Sequence, residues 1–569
     1  MKKKSVILLC LVFSCFVIRS QTNDIIYEWA KNCSSGLAGS YSIETDLQNN
    51  SIVTGYFQGS TDFDPSASTA TLVSSGSFDA FVAKYDLNGN YQWAFKIGSG
   101  GDDQAMGIAV DELGNSFVAG RYWGMVDFDP SAATFNLGGG GLFMAKYSPA
   151  GTLVWAKSIG GIYDPQLKEG KNIRLDKNKN IILGGFFYNT VDFDPSSGVA
   201  SLSSVTGSYS DAFIAKYDSL GNYIWAKSFG ASQDDNIASI ALDQDNNIIA
   251  AGYYKDSVDF DLSSGIFTMT GGPFGSGFLA KYDSAGNFNW AGDIKTGGFL
   301  NRLETDSSNN ILMTGVYSGT TDFDFSAGTA TLGGAGLRGY LAKYSESGSY
   351  SWAICSGDNM VVPRGIAIDG MGNSYITGDF TDTSDFDPSA GVAMLTPIVY
   401  ASPDIFIAKY NSNGNYLVAK SMGGSAFEYA RGIALDTDDN LIISGDFQGT
   451  CDFDPSSAIA NVTPIGGYNL YVAKYSQTFE SNGFSEQTNP GDIVSVYPNP
   501  VSDFLSVKNF SNNHMITKVA IYDFLGKLVF ELPVKNNEVQ INVKNLPSGL
   551  YMLEIADDKS SYFRKVVKQ

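Results

Sequence analysis

The chain has 569 residues and is rich in glycine (63 residues) and aromatic residues (13%) but poor in charged ones (17%). This composition is typical of an all-β protein with many tight turns. The formal net charge of −22 argues against nucleic acid as a partner, because binding to phosphates needs a basic surface.

The N-terminus has the pattern of an export signal. Three lysines at positions 2–4 precede an apolar run from Val6 to Ile18, and Ser20 follows. This pattern predicts a signal peptide over residues 1–20, and the run is too short for a transmembrane helix. A lipoprotein that is lipidated at Cys15 is the alternative. No later segment has a transmembrane pattern, so we predict an exported protein without a transmembrane segment.

An internal repeat dominates the chain. The strings D-F-D and A-K-Y each occur seven times, as does an Asp that ends a short apolar run. Trp followed by Ala occurs six times, and Val418 fills the seventh such place. The run-ending Asp precedes D-F-D by 16 residues in all seven copies, and A-K-Y precedes the Trp position by 10 in the six copies that can be counted. Neither stretch tolerates an insertion, and Asn and Gly lie at the centre of each, so each predicts a hairpin and each repeat predicts four strands.

The other two connections vary in length. The distance from D-F-D to A-K-Y runs from 18 to 23 residues, and that from Trp to the next run-ending Asp runs from 16 to 21. In an up-and-down sheet both connections leave from the same edge, so we expect the variable loops on one face and the tight turns on the other. Binding surfaces are usually built on such loops.

The two ends of the repeat region complement each other. The first Trp strand, at residues 27–31, has no A-K-Y strand before it, and the last A-K-Y strand, at 473–475, has no Trp strand after it. This register predicts that the N-terminal strand completes the last four-stranded unit and closes a ring, which also protects the sheet edges.

The strings D-F-D-P-S, A-K-Y-D-x-x-G-N and W-A-K resemble those of bacterial seven-bladed β-propeller repeat proteins. The resemblance implies a propeller over residues 21–476 and an extracellular setting. Leu262 and Phe325 replace the Pro of D-F-D-P, and Val418 replaces a Trp. We interpret these departures as tolerated drift in the core.

The composition changes after the last repeat. Residues 477–492 are polar and aperiodic, which predicts a linker. Residues 493–569 have alternating apolar runs separated by turn residues, which predicts a small Ig-like β-sandwich. One interpretation of this pattern is an ordinary accessory domain, because a sandwich fold alone indicates no function.

The tail closely resembles the type A C-terminal sorting domain of the type IX secretion system. This resemblance implies a Bacteroidetes-type source, contact with the type IX machinery, passage across the outer membrane, and a secreted or cell-surface location. Anchoring to surface lipopolysaccharide is a further expectation. The residues that would form the sorting signal are Tyr497, Pro498, Asn499, Pro500, Gly526, Lys527, Gly549, Tyr551, Lys565 and Lys568.

The sequence singles out no catalytic residue. The one histidine, His514, lies in the tail, which excludes a Ser-His-Asp triad or a His-ligated zinc site in the propeller. A pair of carboxylates could still act as in a glycosidase. Two acidic additions, Asp102–Asp103 and Asp234–Asp235, break the repeat and are the better candidates for a specific site.

Calcium is the one cofactor that the repeat itself indicates. Both Asp side chains of D-F-D lie on one side of a strand, and calcium prefers such oxygen ligands. The alternative is that these carboxylates cap backbone N–H groups in the following turn while Phe packs between blades. The candidate calcium ligands are Asp62, Asp64, Asp127, Asp129, Asp192, Asp194, Asp259, Asp261, Asp322, Asp324, Asp385, Asp387, Asp452 and Asp454.

Three cysteines remain after the signal peptide, at Cys33, Cys355 and Cys451. In a closed ring Cys33 and Cys451 belong to the same blade, so a disulfide between them could lock the ring. The alternative is two free thiols about two strands apart.

These observations predict a cell-surface or secreted scaffold for binding or adhesion, with a glycan or protein ligand on the variable-loop face. A carboxylate-based polysaccharide lyase or hydrolase in the central channel is one alternative, and it predicts acidic and basic side chains clustered at one mouth. A purely structural surface component is the other alternative, and it predicts the same pattern in every blade.

Overall fold

The computed structural model describes most of the chain. The predicted signal peptide, and the linker from residue 478 onward, lie outside the described residues. Every regular element in the described part is a β-strand, and no helix there could span a membrane. Two compact units are present, one of residues 23–477 and one containing the tail. The described residues are 24–33, 36–160, 173–294, 299–477, 494–497, 501–509, 515–522, 528–544, 546, 549–556 and 561–568.

The larger unit contains seven antiparallel four-stranded sheets, two of which are extended to six strands by a hairpin of the next repeat. We number the sheets in chain order and give their first to fourth strands. Sheet 1 has Leu37–Thr45, Ser51–Gln58, Asp79–Tyr85 and Tyr91–Ile97; sheet 2 has Gln104–Val110, Ser116–Tyr122, Gly141–Tyr147 and Leu153–Gly160; sheet 3 has Ile173–Leu175, Ile181–Phe187, Asp211–Tyr217 and Tyr223–Phe229. Sheet 4 has Asn236–Leu242, Ile248–Tyr254, Ser276–Tyr282 and Phe288–Ile294; sheet 5 has Phe299–Thr305, Ile311–Tyr317, Arg338–Tyr344 and Tyr350–Cys355. Sheet 6 has Val361–Ile368, Ser374–Phe380, Asp404–Tyr410 and Tyr416–Gly424; sheet 7 has Glu428–Leu435, Leu441–Phe447, Asn469–Gln477 and Ile25–Asn32.

Sheet 7 is built from both ends of this unit. The N-terminal strand pairs antiparallel with the last A-K-Y strand, from Ile25 opposite Gln477 to Asn32 opposite Tyr471. In the described part, none of the sheets closes on itself.

Each repeat also contains a small hairpin that the sequence did not predict. The segment between D-F-D and A-K-Y was expected to be a loop, but its first residues pair with later ones in strands of only two or three residues, too short to show a periodicity. The hairpin of sheet 3 bonds to the fourth strand of sheet 2 through Asp192 and Gly160. The hairpins are Ser60–Asp62 with Thr71–Val73, Val126–Asp127 with Asn136–Leu137, Thr190–Asp192 with Ser201–Ser203, Ser257–Asp259 with Thr268–Thr270, Thr321–Asp322 with Thr331–Leu332, Ser384–Asp385 with Met394–Leu395, and Cys451–Asp452 with Asn461–Val462.

The core lies between consecutive sheets. Successive side chains of a strand point to opposite faces. In the third strand of sheet 1, Phe81 and Ala83 therefore pack with residues of sheet 7. Ala80 and Val82 of the same strand pack with residues of sheet 2. This explains why the third strands are apolar on both faces.

The tail unit consists of two sheets around one core. Val507 and Ile541 of the first sheet and Val519 and Leu553 of the second belong to the same buried cluster. The first sheet has Val494–Tyr497, Phe504–Asn509 and Glu538–Asn542; the second has Ile516–Tyr522, Leu528–Asn536, Gly549–Ala556 and Ser561–Lys568.

Candidate functional site

The D-F-D carboxylates hold the loop of each small hairpin. Asp62 Oδ1 accepts hydrogen bonds from the backbone N–H groups of Asp64 (3.1 Å) and Ala70 (2.7 Å), and Asp64 Oδ1 accepts one from Ser66 N (2.9 Å). The same three bonds recur in the other six copies. The geometry thus matches the capping alternative.

The Phe of D-F-D is fixed as well. Phe63 is fully buried, and the Tyr85 hydroxyl of A-K-Y donates to its carbonyl at 3.1 Å. The equivalent tyrosine makes this bond in every copy. Across the described residues, no group of three or more His, Cys, Asp or Glu side chains could hold a metal ion. Calcium binding at D-F-D stays a prediction.

The acidic additions of the long loops act as clamps. Asp103 accepts backbone hydrogen bonds from Ser99 (2.8 Å) and Trp123 (2.6 Å). Asp235 does the same with Ala231 (2.8 Å) and Lys255 (2.9 Å). Asp103 and Asp235 therefore each tie two loops together, whereas Asp102 and Asp234 are exposed, and a specific site at these pairs stays a prediction.

A further buried acidic pair escaped the sequence analysis. Asp404 and Glu428 are almost completely buried. One Asp404 oxygen accepts from Ile398 N at 2.8 Å, while its other oxygen and both Glu428 oxygens have no hydrogen-bond partner. Burial raises the pKa of Asp404 to about 7, and burial together with the charge of Asp404 raises that of Glu428 to about 8.

Of the two possibilities for Cys33 and Cys451, the structure shows the one without a disulfide. Cys33 and Cys451 are free thiols. Cys33 packs with Val472 and lies 3.4 Å from the Tyr85 hydroxyl, whereas Cys451 packs with Ala473. Because consecutive residues of a strand point to opposite faces, the two sulfur atoms lie on opposite faces of sheet 7.

Arginine is the residue that breaks the sevenfold repeat. Only six arginines occur between residues 23 and 477, and the repeat does not include them. Four lie on the first strands of sheets 3, 5, 6 and 7, one on the second strand of sheet 2, and one at the start of a third strand; they are Arg174, Arg302, Arg364, Arg431, Arg121 and Arg338. A count of this rare residue could have found the site.

A β-bulge lies at two of these arginines, Arg364 and Arg431. The first strands of sheets 1, 2, 4, 5, 6 and 7 each contain a register shift at the same place. Bulges re-aim a side chain and are common beside binding sites. The residues at the shift are Tyr41, Met106, Ala238, Asn301, Arg364 and Arg431.

Several of these residues meet at the edge where the variable connections leave. Arg364 pairs with Asp379, and Arg431 Nε donates to Asp446 Oδ1 at 2.9 Å. Both guanidinium groups lie over the Tyr429 ring, at 5.8 and 4.7 Å from its centroid. Such cation–π contacts hold an arginine over the ring face.

Sheets 1 and 2 continue the same group. The Tyr41 hydroxyl donates to Gln104 Oε1 at 3.0 Å, and the Tyr41 and Tyr56 rings are 5.1 Å apart. Burial raises the pKa of Tyr56 to about 12, and the charges of Asp446 and Arg431 also act on it. Arg121 lies opposite Gln104 in sheet 2, and its charge acts on Tyr41. We call this group the arginine–tyrosine cluster: Tyr41, Tyr56, Gln104, Arg121, Arg364, Asp379, Tyr429, Arg431 and Asp446.

The other end of the first strands has a different charge pattern. There a cavity of about 250 Å³ is lined by Glu44, Arg174, Glu304 and apolar residues of sheets 6 and 7. Arg174 Nη2 bonds Glu304 Oε1 at 2.5 Å and so links sheets 3 and 5.

The sorting residues lie partly in the described tail. Tyr497 ends the first strand, Gly549 begins Gly549–Ala556, and Tyr551 is buried in the same strand. Lys565 and Lys568 belong to the last strand. Outside the described residues are Pro498, Asn499, Pro500, Gly526 and Lys527.

Comparison with known proteins identifies the tail. Residues 495–569 match the family described as the secretion system C-terminal sorting domain. The chain therefore carries a sorting domain of the type IX class, and it is a secreted or cell-surface component.

The repeat region has more distant relatives. The chain is 26% identical over 529 residues to an uncharacterized WD repeat-containing protein of Acanthamoeba polyphaga mimivirus, and the match covers 77% of this chain but only 37% of that relative. Among solved structures, PorZ of the Porphyromonas gingivalis type IX secretion system is 11% identical, with 93% of this chain and 81% of PorZ covered and a TM-score of 0.26. The PQQ domain of a Coprinopsis cinerea pyranose dehydrogenase is 10% identical, with 79% and 96% covered and a TM-score of 0.31.

Proposed function

We propose that residues 23–477 form a seven-bladed β-propeller whose ring is closed by the N-terminal strand. The first strand of each sheet contacts the first strands of two other sheets, in one cycle that includes sheets 7 and 1. Hydrogen bonds between those sheets include Ser40 Oγ to Ser444 Oγ at 3.1 Å and Thr45 Oγ1 to the Leu435 carbonyl at 2.7 Å. Both support a ring.

In this ring the exported protein is a binding scaffold at the cell surface or outside it, for a glycan or a protein. The observation that carries this proposal is the arginine–tyrosine cluster. It draws on sheets 6, 7, 1 and 2 only, at the end where the variable connections lie. A purely structural component would keep one pattern in every blade, and the bulge positions do not: Arg364 and Arg431 have Met106 and Ala238 as counterparts.

A carboxylate-based polysaccharide lyase or hydrolase is the second candidate. It requires acidic and basic side chains at one mouth of the channel, and Asp379 and Asp446 stand beside Arg364 and Arg431 there. Incubation with polysaccharides distinguishes the two functions, because a scaffold leaves the polymer length unchanged and an enzyme shortens it.

Two experiments test the proposal. Cell fractionation of the full chain and of a chain lacking residues 495–569 should place the first at the surface and retain the second inside the cell. Binding of the exported protein to immobilised glycans and surface proteins should then weaken when the cluster is altered, for example in Tyr429→Leu. Binding that survives every change in the cluster would contradict the assignment of this face.

A further inference from the structure

We propose that the arginine–tyrosine cluster binds an anionic saccharide, that is, one whose rings carry carboxylate or sulfate groups. The inference rests on the proposed function and specifies the ligand of the same site.

Local charge is the first argument. The chain has a formal net charge of −22, so its surface repels anions in general. The charged side chains of the cluster itself, three arginines and two aspartates, sum to a formal charge of +1. The guanidinium group presents a planar set of donors that matches a carboxylate or a sulfate. The cluster therefore offers an anion donors of matching geometry.

The geometry of the arginines is the second argument. The side chains of Arg364 and Arg431 are 16% and 21% exposed, and the aspartates that hold them are 6% exposed. Each guanidinium is thus held by a buried carboxylate and by the face of the Tyr429 ring, and part of each arginine side chain remains exposed. Fixing a donor before binding reduces the entropy that a ligand loses on association.

The aromatic rings are the third argument. Tyr41 and Tyr56 lie next to each other at an interplanar angle of 44°, and the Tyr429 ring lies close to both guanidinium groups. Tyrosine offers an apolar face and a polar hydroxyl on a rigid side chain, which suits the apolar faces and hydroxyl edges of a sugar ring. Together, rings and guanidinium groups favour a charged saccharide over a simple inorganic anion.

The fold itself does not require these residues. At the bulge, sheets 2, 4 and 5 have Met106, Ala238 and Asn301 in place of an arginine. Sheets with the same strand pairing therefore form without the charge. The guanidinium groups of sheets 6 and 7 are additions to the repeat.

Titration calorimetry of the full-length exported protein tests this inference. The probes are polygalacturonate for carboxylates, dextran sulfate for sulfates, neutral dextran, and polyglutamate as an acidic peptide. We expect at least one of the two charged polysaccharides to bind, and we expect its affinity to fall steeply between about 50 and about 500 mM NaCl. Which of the two binds identifies the charged group.

Variants then locate the site. Arg364→Gln and Arg431→Gln should each weaken binding about tenfold, the loss of one charge-assisted contact. Arg174→Gln, at the opposite end of a first strand, should leave affinity within about twofold. Arg364→Gln could unfold the protein, because it leaves the buried Asp379 carboxylate without its ion-pair partner. In that case the double variant Arg364→Gln/Asp379→Asn, which removes both charges, should fold and still lose binding.

Each other outcome overturns the inference. Equal affinity for neutral dextran or tighter binding of polyglutamate would rule out an anionic saccharide as the ligand. Equal losses of affinity in Arg174→Gln and Arg364→Gln would rule out this site. The proposed binding scaffold would stand in each case. Absence of binding to every probe, to immobilised glycans and to surface proteins would overturn the proposed function as well.

Discussion

Trp29 lies directly on the turn glycine Gly89. A Cβ atom on Gly89 would come within 2.9 Å of Trp29 Cε3, and Trp29 Nε1 donates to the Leu87 carbonyl at 3.2 Å. The fourth strand of sheet 7 thereby packs on the turn between the third and fourth strands of sheet 1. The same contact joins Trp93 to Gly151, Trp155 to Gly221, Trp225 to Gly286, Trp290 to Gly348 and Trp352 to Gly414.

This contact explains why the seventh Trp is missing. Val418, in sheet 6, would face the turn after the last A-K-Y strand. That strand continues to Gln477 instead of turning at a glycine. Lys409 Nζ donates a hydrogen bond to Gln477 Oε1 at 2.7 Å. The equivalent lysine of sheet 3, Lys216, instead donates to the carbonyl of Ser284 in the turn of sheet 4, at 3.0 Å. The departure follows from the register of the chain and is not drift.

Gly89→Ala should destabilise the protein more than Gly59→Ala does. Both glycines have a positive φ, +76° and +80°, but nothing lies within 4 Å of a Cβ on Gly59. At Gly59 we expect the left-handed backbone alone to lower the free energy of unfolding by about 1–2 kcal/mol. At Gly89 the clash with Trp29 should lower it by about 1–3 kcal/mol more. Urea unfolding measures both; equal losses would show that the tryptophan does not pack on the turn.

Lys84→Met should be strongly destabilising. Lys84 and Asp46 form an ion pair at 2.8 Å with 8% and 0% of their side chains exposed. Burial would raise the pKa of Asp46, but hydrogen bonds from Lys84 and Asn50 bring it below its ordinary value. Removing the lysine leaves the buried Asp46 carboxylate without its ion-pair partner, which should lower the free energy of unfolding by about 3–5 kcal/mol. Lys420→Met, which breaks the exposed pair with Asp24, should cost about 1 kcal/mol or less. Equal effects in urea unfolding would contradict the account.

Stability should decrease as the pH rises from about 5 to about 8.5. The raised pKa values of Asp404 and Glu428 mean that the folded protein holds these protons more tightly than the unfolded chain. Their contribution is full below the unfolded pKa of about 4 and is lost as the pH passes through about 7 and about 8.

Glu428→Gln should flatten this profile of melting temperature against pH. Glu112→Gln is the control, because Glu112 is 63% exposed and a hydrogen bond from Lys179 lowers its pKa, so it titrates below this window. An unchanged slope in Glu428→Gln would show that this buried pair does not govern the pH dependence.

If the D-F-D carboxylates act only as caps, chelation of calcium should leave the melting temperature unchanged. The Oδ1 atoms of the D-F-D carboxylates already accept backbone hydrogen bonds, so the hairpin loops hold their shape without an ion. Asp62→Ala should still destabilise, because Asp62 Oδ1 accepts from two backbone N–H groups. A large fall in melting temperature on addition of a chelator would establish the calcium site instead.

The sequence predicted the strands that its repeated markers delimit and missed the features that lie between those markers. Constant spacing identified the strands of each four-stranded unit and the pairing partner of the N-terminal strand. The small hairpins escaped because strands of two or three residues show no alternation. The bulges escaped because one extra residue, such as Arg364, is invisible when spacing is counted between distant markers. Phe325 was treated as drift, yet a Cβ on Gly292 would lie 2.3 Å from its ring, so these two departures fit each other.

A designed disulfide tests most directly whether sheets 1 and 7 are neighbours, on which both the ring and the cluster depend. Ser40 Oγ and Ser444 Oγ are 3.1 Å apart although the residues are 404 positions apart in the chain. In the variant Ser40→Cys/Ser444→Cys, we expect a cross-linked peptide joining positions 40 and 444 in a non-reduced digest. The single variant Ser40→Cys should give no such peptide. Two unlinked thiols in the folded double variant would contradict the closed ring and the arginine–tyrosine cluster together.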